Sequence, residues 1–342
     1  METTAEPVAA PERAAPAQPI APLLELRDLR TQFHIAGEDA NAVDGLSLVV
    51  RPGEALGIVG ESGSGKSVTA LSIMRLLGGA HRLSGQVLFD GRDVLGMSNA
   101  EMRSLRGADI SMIFQDPMTS LNPVIRIGKQ LVEGMKVHGR FSDAEANARA
   151  LSLLVRMGIS SPERVINGYP HELSGGMRQR VMLAIGFANQ PRLIIADEPT
   201  TALDVTVQAQ ILDLMGRLQS EMGMSTILIT HDLGVIAETC DDVIVMYAGR
   251  IVERASAEEL FANPLHAYTK GLLASIPTLD MPSKSVLKTI PGMVASLADL
   301  SHGCRFCQRM GRNAPISRER PRVIEASPGH WVENCPECYK PS

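Results

Sequence analysis

The sequence lacks the long apolar stretch that a membrane span requires. No uninterrupted apolar run approaches the roughly 18–20 residues that cross a bilayer as a helix. The amino-terminal end also lacks a basic segment followed by an apolar one, which is the pattern of a secretory signal. We therefore expect a cytosolic protein whose contact with a membrane comes through partner chains.

An excess of positive charge is missing as well. The chain has 33 Lys and Arg against 38 Asp and Glu, a formal net charge of −5, so bulk charge does not hold it on a nucleic acid. The hydrophobic content of 44% and charged content of 21% are ordinary for a soluble globular protein. A chain of 342 residues is long enough for one large domain or two modest ones with ample core.

Cysteine is scarce and clustered. Four of the five cysteines form two pairs near the C-terminus, Cys304-x-x-Cys307 and Cys335-x-x-Cys338, and disulfides are rare in a cytosolic chain. Each pair can form a tight thiolate knuckle, and two knuckles close a tetrahedron, so the spacing indicates a Cys₄ zinc site. Four thiolates also suit a [4Fe–4S] cluster. Cys240, outside the pairs, is expected to be a small core residue.

One stretch has the pattern of a phosphate-binding loop. An apolar run, Ala55–Val59, predicts a buried strand before it, and helical apolar spacing follows it. The glycines let successive backbone N–H groups face phosphate oxygens, and the helix directs its positive dipole end there. Lys66 is expected to bridge the β- and γ-phosphates, and the Ser67 hydroxyl to ligate Mg²⁺. The sequence thus predicts a nucleoside triphosphate site formed by Gly60, Glu61, Ser62, Gly63, Ser64, Gly65, Lys66, Ser67 and Val68.

A second predicted strand ends in two acids, Asp197 and Glu198. Carboxylates at the end of an apolar strand are costly unless they have partners or a task. In isolation they could simply be solvated. After a phosphate loop in the same sheet, we expect Asp197 to hold Mg²⁺ and Glu198 to polarise the water that attacks the γ-phosphate.

Two more predicted strands end in polar side chains, Gln115 and His231. The carboxyl ends of strands in an open α/β sheet are where ligands bind. Gln115 is therefore expected to reach Mg²⁺ and the attacking water, and His231 the γ-phosphate and the water. Taken alone, each side chain could be an ordinary solvated residue.

Three further features lie away from these strand ends. Helical, strand-poor spacing over about residues 117–172 predicts a helical subdomain inserted between two strands. It leads into Ser174-Gly175-Gly176 at the start of a helix, which is either a second anion site or only a helix cap. Phe33, upstream of the phosphate loop, is either a face on which adenine stacks or a core aromatic residue.

Taken in order, these segments resemble the nucleotide-binding subunits of ABC transporters. The resemblance implies an α/β fold in which a P-loop RecA-like core carries an antiparallel β subdomain and the inserted helical subdomain. It also implies an ATPase that uses ATP and Mg²⁺. The match covers about Leu23 to Ser275 and rests on Gly60–Ser67, Gln115, Leu173–Gln179, Ile194–Pro199, Ala202-Leu203-Asp204 and His231.

The same resemblance implies that two such domains pair head to tail. Each ATP would then lie between the phosphate loop of one domain and Ser174-Gly175-Gly176 of the other. Asp204 would communicate across that interface, and Gln115 with the helical subdomain would couple to membrane subunits.

Finer features resemble the subgroup that imports oligopeptides, dipeptides or nickel. These features are Phe114–Pro123, Asn263–Thr269 and the region around Ile290-Pro291-Gly292, while Ser62–Thr69 resembles the "D" type of ATPase within that subgroup. The resemblance implies a related "F"-type ATPase, two permease subunits and an extracytoplasmic binding protein as partners, at the cytoplasmic face of the membrane. Peptide, nickel, opine-like and haem-like cargo stay open, as does pairing of this chain with itself.

The end of the chain resembles the subgroup's small cysteine-bearing domain, which is reported to hold an iron–sulfur cluster. His302–Phe306 matches its opening, and Pro328–Val332 with Cys335 matches its close. Met310 and Ser317 stand where the family usually places cysteines, whereas Cys307 and Cys338 are additional. The resemblance favours iron–sulfur and the local spacing favours zinc.

The predicted organisation is a disordered lead-in over residues 1–22, an ATPase domain over 23–275 and a Cys-rich C-terminal extension over 276–342. An alternative is a soluble ABC ATPase that acts on nucleic acid through a zinc-ribbon tail. Against it stand the single ATP domain, the acidic net charge and the lack of a long coiled coil. A third hypothesis, an ATP sensor without turnover, predicts that Glu198→Gln leaves steady-state activity unchanged.

Overall fold

The computed structural model describes residues 21–35, 37–115, 120–139, 141–201, 203–276, 289–312 and 319–341. Nearly all of the predicted lead-in, residues 116–119, Ala202 and Ser317 lie outside these ranges. The strands are β1 (Leu24–Ile35), β2 (Glu38–Val50), β3 (Ala55–Val59), β4 (His81–Phe89), β5 (Arg92–Asp93), β6 (Ile110–Ile113), β7 (Leu193–Asp197), β8 (Ser225–Thr230), β9 (Asp242–Tyr247), β10 (Arg250–Ser256), β11 (Val323–Ser327) and β12 (His330–Glu333). The described α-helices are α1 (Lys66–Ile73), α2 (Asn99–Leu105), α3 (Ile127–Val137), α4 (Asp143–Arg156), α5 (Pro162–Val165), α6 (Gly175–Phe187), α7 (Val205–Met222), α8 (Leu233–Thr239), α9 (Ala257–Ala262), α10 (Ala267–Ala274) and α11 (Arg305–Arg309).

A large central sheet has the strand order β11-β12-β10-β9-β3-β8-β7-β6. The strands from β9 to β6 run parallel to one another. Every residue of β3, β7 and β8 is buried, which accounts for their continuous apolar sequences, since both faces of a parallel sheet are covered. The carboxyl ends of these strands share one edge, where the polar residues that follow them converge.

A second, antiparallel sheet has the order β2-β1-β4-β5. Its apolar residues share a core with the central sheet and with α1 and α2; Leu24, Val43, Ile58 and Ile73 are among the members. The sheet therefore packs over α1, the helix that follows the phosphate loop. This arrangement is the α/β fold with an antiparallel β subdomain that the family resemblance implied.

Helices α3, α4 and α5 follow β6 and precede β7, in the region predicted to be a helical subdomain. Helix α4 begins at a capping box, in which the Ser142 hydroxyl accepts from the Glu145 N–H and the Glu145 carboxylate accepts from the Ser142 N–H. Such a box satisfies two backbone donors that the first turn leaves without partners. Leu131 and Leu153 pack with α6 in the other large core.

The end of the chain is part of the central sheet. Strands β11 and β12 form a hairpin, and β12 pairs with β10 through Glu253 opposite Val332 and Arg254 opposite Trp331. Among the described residues, no helix is both long and apolar enough to cross a membrane.

Buried charge also connects the tail to the antiparallel sheet, through Asp44 on β2. The Asp44 carboxylate accepts from Arg250 at 2.9 Å and from Arg305 at 3.0 Å, and Arg30 and Arg320 reach its other oxygen. Burial alone would raise the pKa of Asp44, but the surrounding guanidinium groups outweigh it and hold this pKa below its ordinary value. Because a buried carboxylate with such partners is costly to leave unpaired, the tail is fixed on the rest of the chain.

Candidate nucleotide site and cysteine cluster

The predicted phosphate loop joins β3 to α1. Gly60 and Gly65 have φ angles of 152° and 98°, which side chains disfavour. A Cβ atom at Gly60 would collide with the carbonyl oxygen of Met246, and one at Gly65 would lie 2.7 Å from that of Ala42. Only glycine therefore allows the backbone to curl here. The remaining residues complete the loop, with Ser62 and Gly63 exposed, Ser64 buried and Glu61 and Val68 half-buried.

Lys66 lies inside this curl. Its Nζ donates to the carbonyl oxygens of Gly60 at 2.7 Å and Glu61 at 3.0 Å. Burial lowers the pKa of Lys66, and the carboxylates of Glu198, Asp197 and Glu61 oppose that shift. The ammonium group is thus a buried cation in the centre of the loop, where a phosphate group would compensate its charge.

Ser67 and Asp197 are direct neighbours. The Ser67 hydroxyl, in the first turn of α1, donates to Asp197 Oδ1 at 3.0 Å. Burial raises the pKa of Asp197, whereas the Ser67 hydrogen bond and the Lys66 charge lower it. A hydroxyl and a carboxylate oxygen at this spacing are the hard donors that Mg²⁺ prefers, so the donor set fits the ion.

Glu198 is the centre of a polar group formed by several strand ends. Its Oε2 accepts from Gln115 Nε2 at 2.9 Å and from the Thr201 hydroxyl at 3.0 Å, and its Oε1 lies 3.4 Å from His231 Nδ1. The Glu198 backbone has φ 46°, a conformation that costs a non-glycine residue free energy and clusters at functional sites. The structure therefore holds this carboxylate in one orientation.

Thr201 was not singled out by sequence reasoning. It follows Glu198 by three residues in Glu-Pro-Thr-Thr, a turn-forming sequence. In that turn, the Thr201 N–H donates to the Glu198 carbonyl oxygen at 3.2 Å. The sequence does contain a signal for this contact: Thr201 follows Glu198 by three residues. A tight turn over that distance brings the Thr201 hydroxyl back to the Glu198 carboxylate.

The other predicted binding residues have contacts of a different kind. The Ser174 hydroxyl caps α6 by accepting from the Met177 N–H, and Ser174 and Gly175 are exposed. Asp204 is likewise exposed and caps α7. Phe33 is half-buried on β1, with its ring 6.3 Å from that of His81. Ser174 and Asp204 therefore act as helix caps, whereas the Phe33 contact crosses from β1 to β4.

The two cysteine pairs form a single buried cluster. The sulfur atoms of Cys304, Cys307, Cys335 and Cys338 all lie within 4.8 Å of one another. Three of the sulfur–sulfur separations are 3.6 Å for Cys304–Cys338, 3.5 Å for Cys307–Cys335 and 3.4 Å for Cys307–Cys338. All four cysteines are free of disulfide bonds. Hydrogen bonds from Cys304 and then Cys338 lower the pKa of Cys335. The bond with Cys335 raises the pKa of Cys304, and the bonds with Cys304 and then Cys335 raise the pKa of Cys338. Four thiolates could coexist here only with a compensating cation.

Two parts of the chain match known protein families. Residues 43–201 match the ABC transporter family. Residues 252–313 match the family described as oligopeptide/dipeptide transporter, C-terminal region. The first match includes the phosphate loop and Glu198, and the second includes two of the four clustered cysteines.

Individual relatives are similar over most of their length. The oligopeptide transport ATP-binding protein OppD of Bacillus subtilis is 48% identical, covering 91% of this chain and 88% of its own. The protein of the same name from Salmonella typhimurium is 47% identical, covering 95% of each chain. Among solved structures, the dimeric post-hydrolysis state of the ATP-binding cassette MJ0796 with ADP and Pi is 28% identical with a TM-score of 0.62, covering 68% of this chain and 98% of that one.

Proposed function

This chain belongs to the family of ABC transporter ATP-binding proteins, and on that premise we propose that it powers the import of oligopeptides or dipeptides across the cytoplasmic membrane. It is an ATPase that uses ATP and Mg²⁺. The proposal depends on one observation: a nucleotide site and a C-terminal region matching oligopeptide/dipeptide transporters occur in one chain and share one sheet.

Within the nucleotide site we assign binding to the loop and α1. The N–H groups of residues 60–67 and the Lys66 ammonium would bind the β- and γ-phosphates, because both converge inside the glycine curl. Ser67 and Asp197 would hold Mg²⁺, with Gln115 near enough to the same edge to join them. When bound, the ion neutralises charge on the phosphate oxygens.

Glu198 is assigned as the general base. Its carboxylate would take a proton from the water that attacks the γ-phosphorus, since it is the acid held by three polar side chains at this edge. Gln115 and Thr201 keep the carboxylate in place by donating to it. His231, which is exposed, would contact the γ-phosphate and the attacking water.

The exposed residues Ser174, Gly175 and Asp204 support pairing of two ATPase domains. Ser174 and Gly175 present the N-terminus of α6 to the outside, and a helix N-terminus binds anions well. We propose that they close the nucleotide site of a second domain, with Asp204 at the same interface and Phe33 as the adenine-facing residue.

A chain that powers import needs partner subunits, and we propose the following assembly. A related "F"-type ATPase would be the second domain, two permease subunits would contact Gln115 and the helical region, and an extracytoplasmic binding protein would deliver cargo. The chain would then lie at the cytoplasmic face of the membrane. The family matches support transport over action on nucleic acid.

Peptide uptake tests this function. In a host that lacks this chain, restoring it should restore uptake of radiolabelled di- or oligopeptides, and Glu198→Gln should not. Glu221→Gln is the matched control, because Glu221 pairs with Arg156 on the exposed surface. Equal peptide uptake with and without the chain would contradict the proposal. Nickel uptake that depended on the chain in the same host would identify nickel as the cargo instead.

For the cysteine cluster we propose a single tetrahedral zinc ion. Zinc–sulfur bonds of ~2.3 Å place tetrahedral thiolates about 3.8 Å apart. Three sulfur–sulfur separations in the cluster are 3.4–3.6 Å, and all four sulfur atoms lie within 4.8 Å of one another. A [4Fe–4S] cluster binds each thiolate to a different iron atom and needs sulfur atoms set further apart. Cys304, Cys307, Cys335 and Cys338 would hold the ion, which would link the two ends of the tail.

Metal analysis of the purified chain tests this proposal. We expect about one zinc ion per chain and no visible absorbance. A Cys304→Ser/Cys307→Ser variant should lose the zinc, whereas Cys240→Ser, which lies outside the cluster, should retain it. Brown protein with about four irons per chain, prepared without oxygen, would contradict zinc and identify a cluster.

A further inference from the structure

The C-terminal tail reaches the phosphate loop through one arginine. Arg309 is the last residue of α11, the helix that Cys304 caps and that contains Cys307. Its Nη1 is paired with Glu61 Oε2, and its Nη2 donates to Glu61 Oε1 at 3.2 Å. Glu61 is the residue directly after Gly60 in the loop, so the tail touches the loop where it leaves β3.

Arg309 is rigidly held. Its guanidinium also donates to the carbonyl oxygens of Pro291 at 2.8 Å, Ile290 at 3.1 Å and Gly292 at 3.0 Å. The side chain is only 3% exposed. A planar guanidinium with this many fixed acceptors has little freedom, so it fixes whatever it binds.

Glu61 has two further bonds. Its N–H donates to the Tyr268 hydroxyl at 2.9 Å, and its carbonyl oxygen accepts from Lys66 Nζ at 3.0 Å. Tyr268 packs on Phe306, a second residue of α11, with ring centroids 5.5 Å apart. The position of the Lys66 ammonium is thus connected through Glu61 to α11, the helix that Cys304 caps and that contains Cys307.

We propose that Arg309 is a positioning residue for the phosphate loop, and that through α11 the metal state of the cysteine cluster sets the affinity for MgATP. The ion pair with Arg309 fixes the position of Glu61. Glu61 in turn fixes the backbone of the loop that would bind the phosphates. The inference rests on the nucleotide site and the cysteine metal site proposed above. It adds a regulatory contact between these two sites, which are far apart in the sequence.

The first test measures MgATP binding with a fluorescent ATP analogue and ATPase kinetics. Arg309→Gln should raise the Kd and KM about tenfold, within the ~5- to 150-fold usual for coupled sites. The kcat should change little, because Glu198 and its partners are untouched. Arg309→Lys should lie nearer the parent, since it keeps the charge. The control Arg312→Gln removes another tail bond, to the Glu337 carbonyl, and should bind as the parent does.

A double-mutant cycle separates this role from general damage to the tail. Glu61→Gln should also weaken binding, and combining it with Arg309→Gln should weaken binding no further, because both remove one ion pair. Fully additive losses, or an unchanged Kd in either single variant, would overturn the proposal. If Arg309→Gln fails to fold, Glu61→Gln, which leaves the tail's own contacts in place, decides the question.

The metal link is tested by the Cys304→Ser/Cys307→Ser variant. Its Kd for MgATP should rise as in Arg309→Gln, and adding Arg309→Gln should cause no further rise. Metal-free protein with the parent Kd would overturn the link. If the parent chain itself bound no MgATP, the proposed nucleotide site would be wrongly assigned. That result differs from a failure of the Arg309 proposal alone, in which the parent binds MgATP and the variants bind it equally well.

Discussion

Glu198→Gln should lower steady-state ATP turnover by about 10²- to 10⁴-fold, the usual contribution of a general base. The amide has nearly the shape of the carboxylate and can still accept from Gln115 and Thr201. It cannot take a proton from water. Nucleotide binding should therefore be retained, and the paired domains should stay closed around unhydrolysed ATP.

Phosphate release and equilibrium binding measured on the same preparation check this result. Glu221→Gln is again the control, an acid-to-amide change outside the site that should leave turnover as it is. Turnover of Glu198→Gln at the parent rate would show that the base is assigned wrongly. Loss of both turnover and binding would show instead that the variant had disturbed the loop.

Lys66→Ala should impair nucleotide binding itself. The change removes a buried cation and its two bonds to loop carbonyl oxygens. Hydrogen bonds to charged groups contribute ~1.5–3 kcal/mol, which corresponds to a Kd for MgATP raised roughly 10- to 150-fold. Turnover at low ATP concentration should fall by a similar factor.

Titration with a fluorescent ATP analogue measures this loss. Lys129→Ala provides the control, because Lys129 is an exposed lysine on α3 and should bind ATP as the parent does. The two variants have different signatures: Lys66→Ala affects binding, and Glu198→Gln affects the chemical step. A Lys66→Ala variant with the parent Kd would contradict the assignment of Lys66 to nucleotide binding.

Local patterns were enough to predict the framework of the fold. The run Ala55–Val59, the glycine spacing that follows it and the apolar strand before Asp197 are each contained in a few residues, and α/β architecture follows from repeating that pattern. The assigned roles of Lys66 and Glu198 stay predictions until the variants are measured.

Contacts between distant residues could not be predicted in the same way. Arg309 and Glu61 are 248 residues apart, and β12 pairs with β10 through Val332 and Glu253. No periodicity in the sequence encodes such pairs, because they depend on how the tail packs against the rest of the fold. Ser174 is a further case, since its proposed partner belongs to another chain.

The fate of a single bound ATP shows whether Glu198 is the general base. Parent protein and Glu198→Gln are loaded with ATP labelled on the γ-phosphate, freed of excess nucleotide and sampled over time. If Glu198 is the base, the parent releases labelled phosphate while the variant retains intact, bound ATP. Release of labelled phosphate from the variant at the parent rate would contradict that assignment.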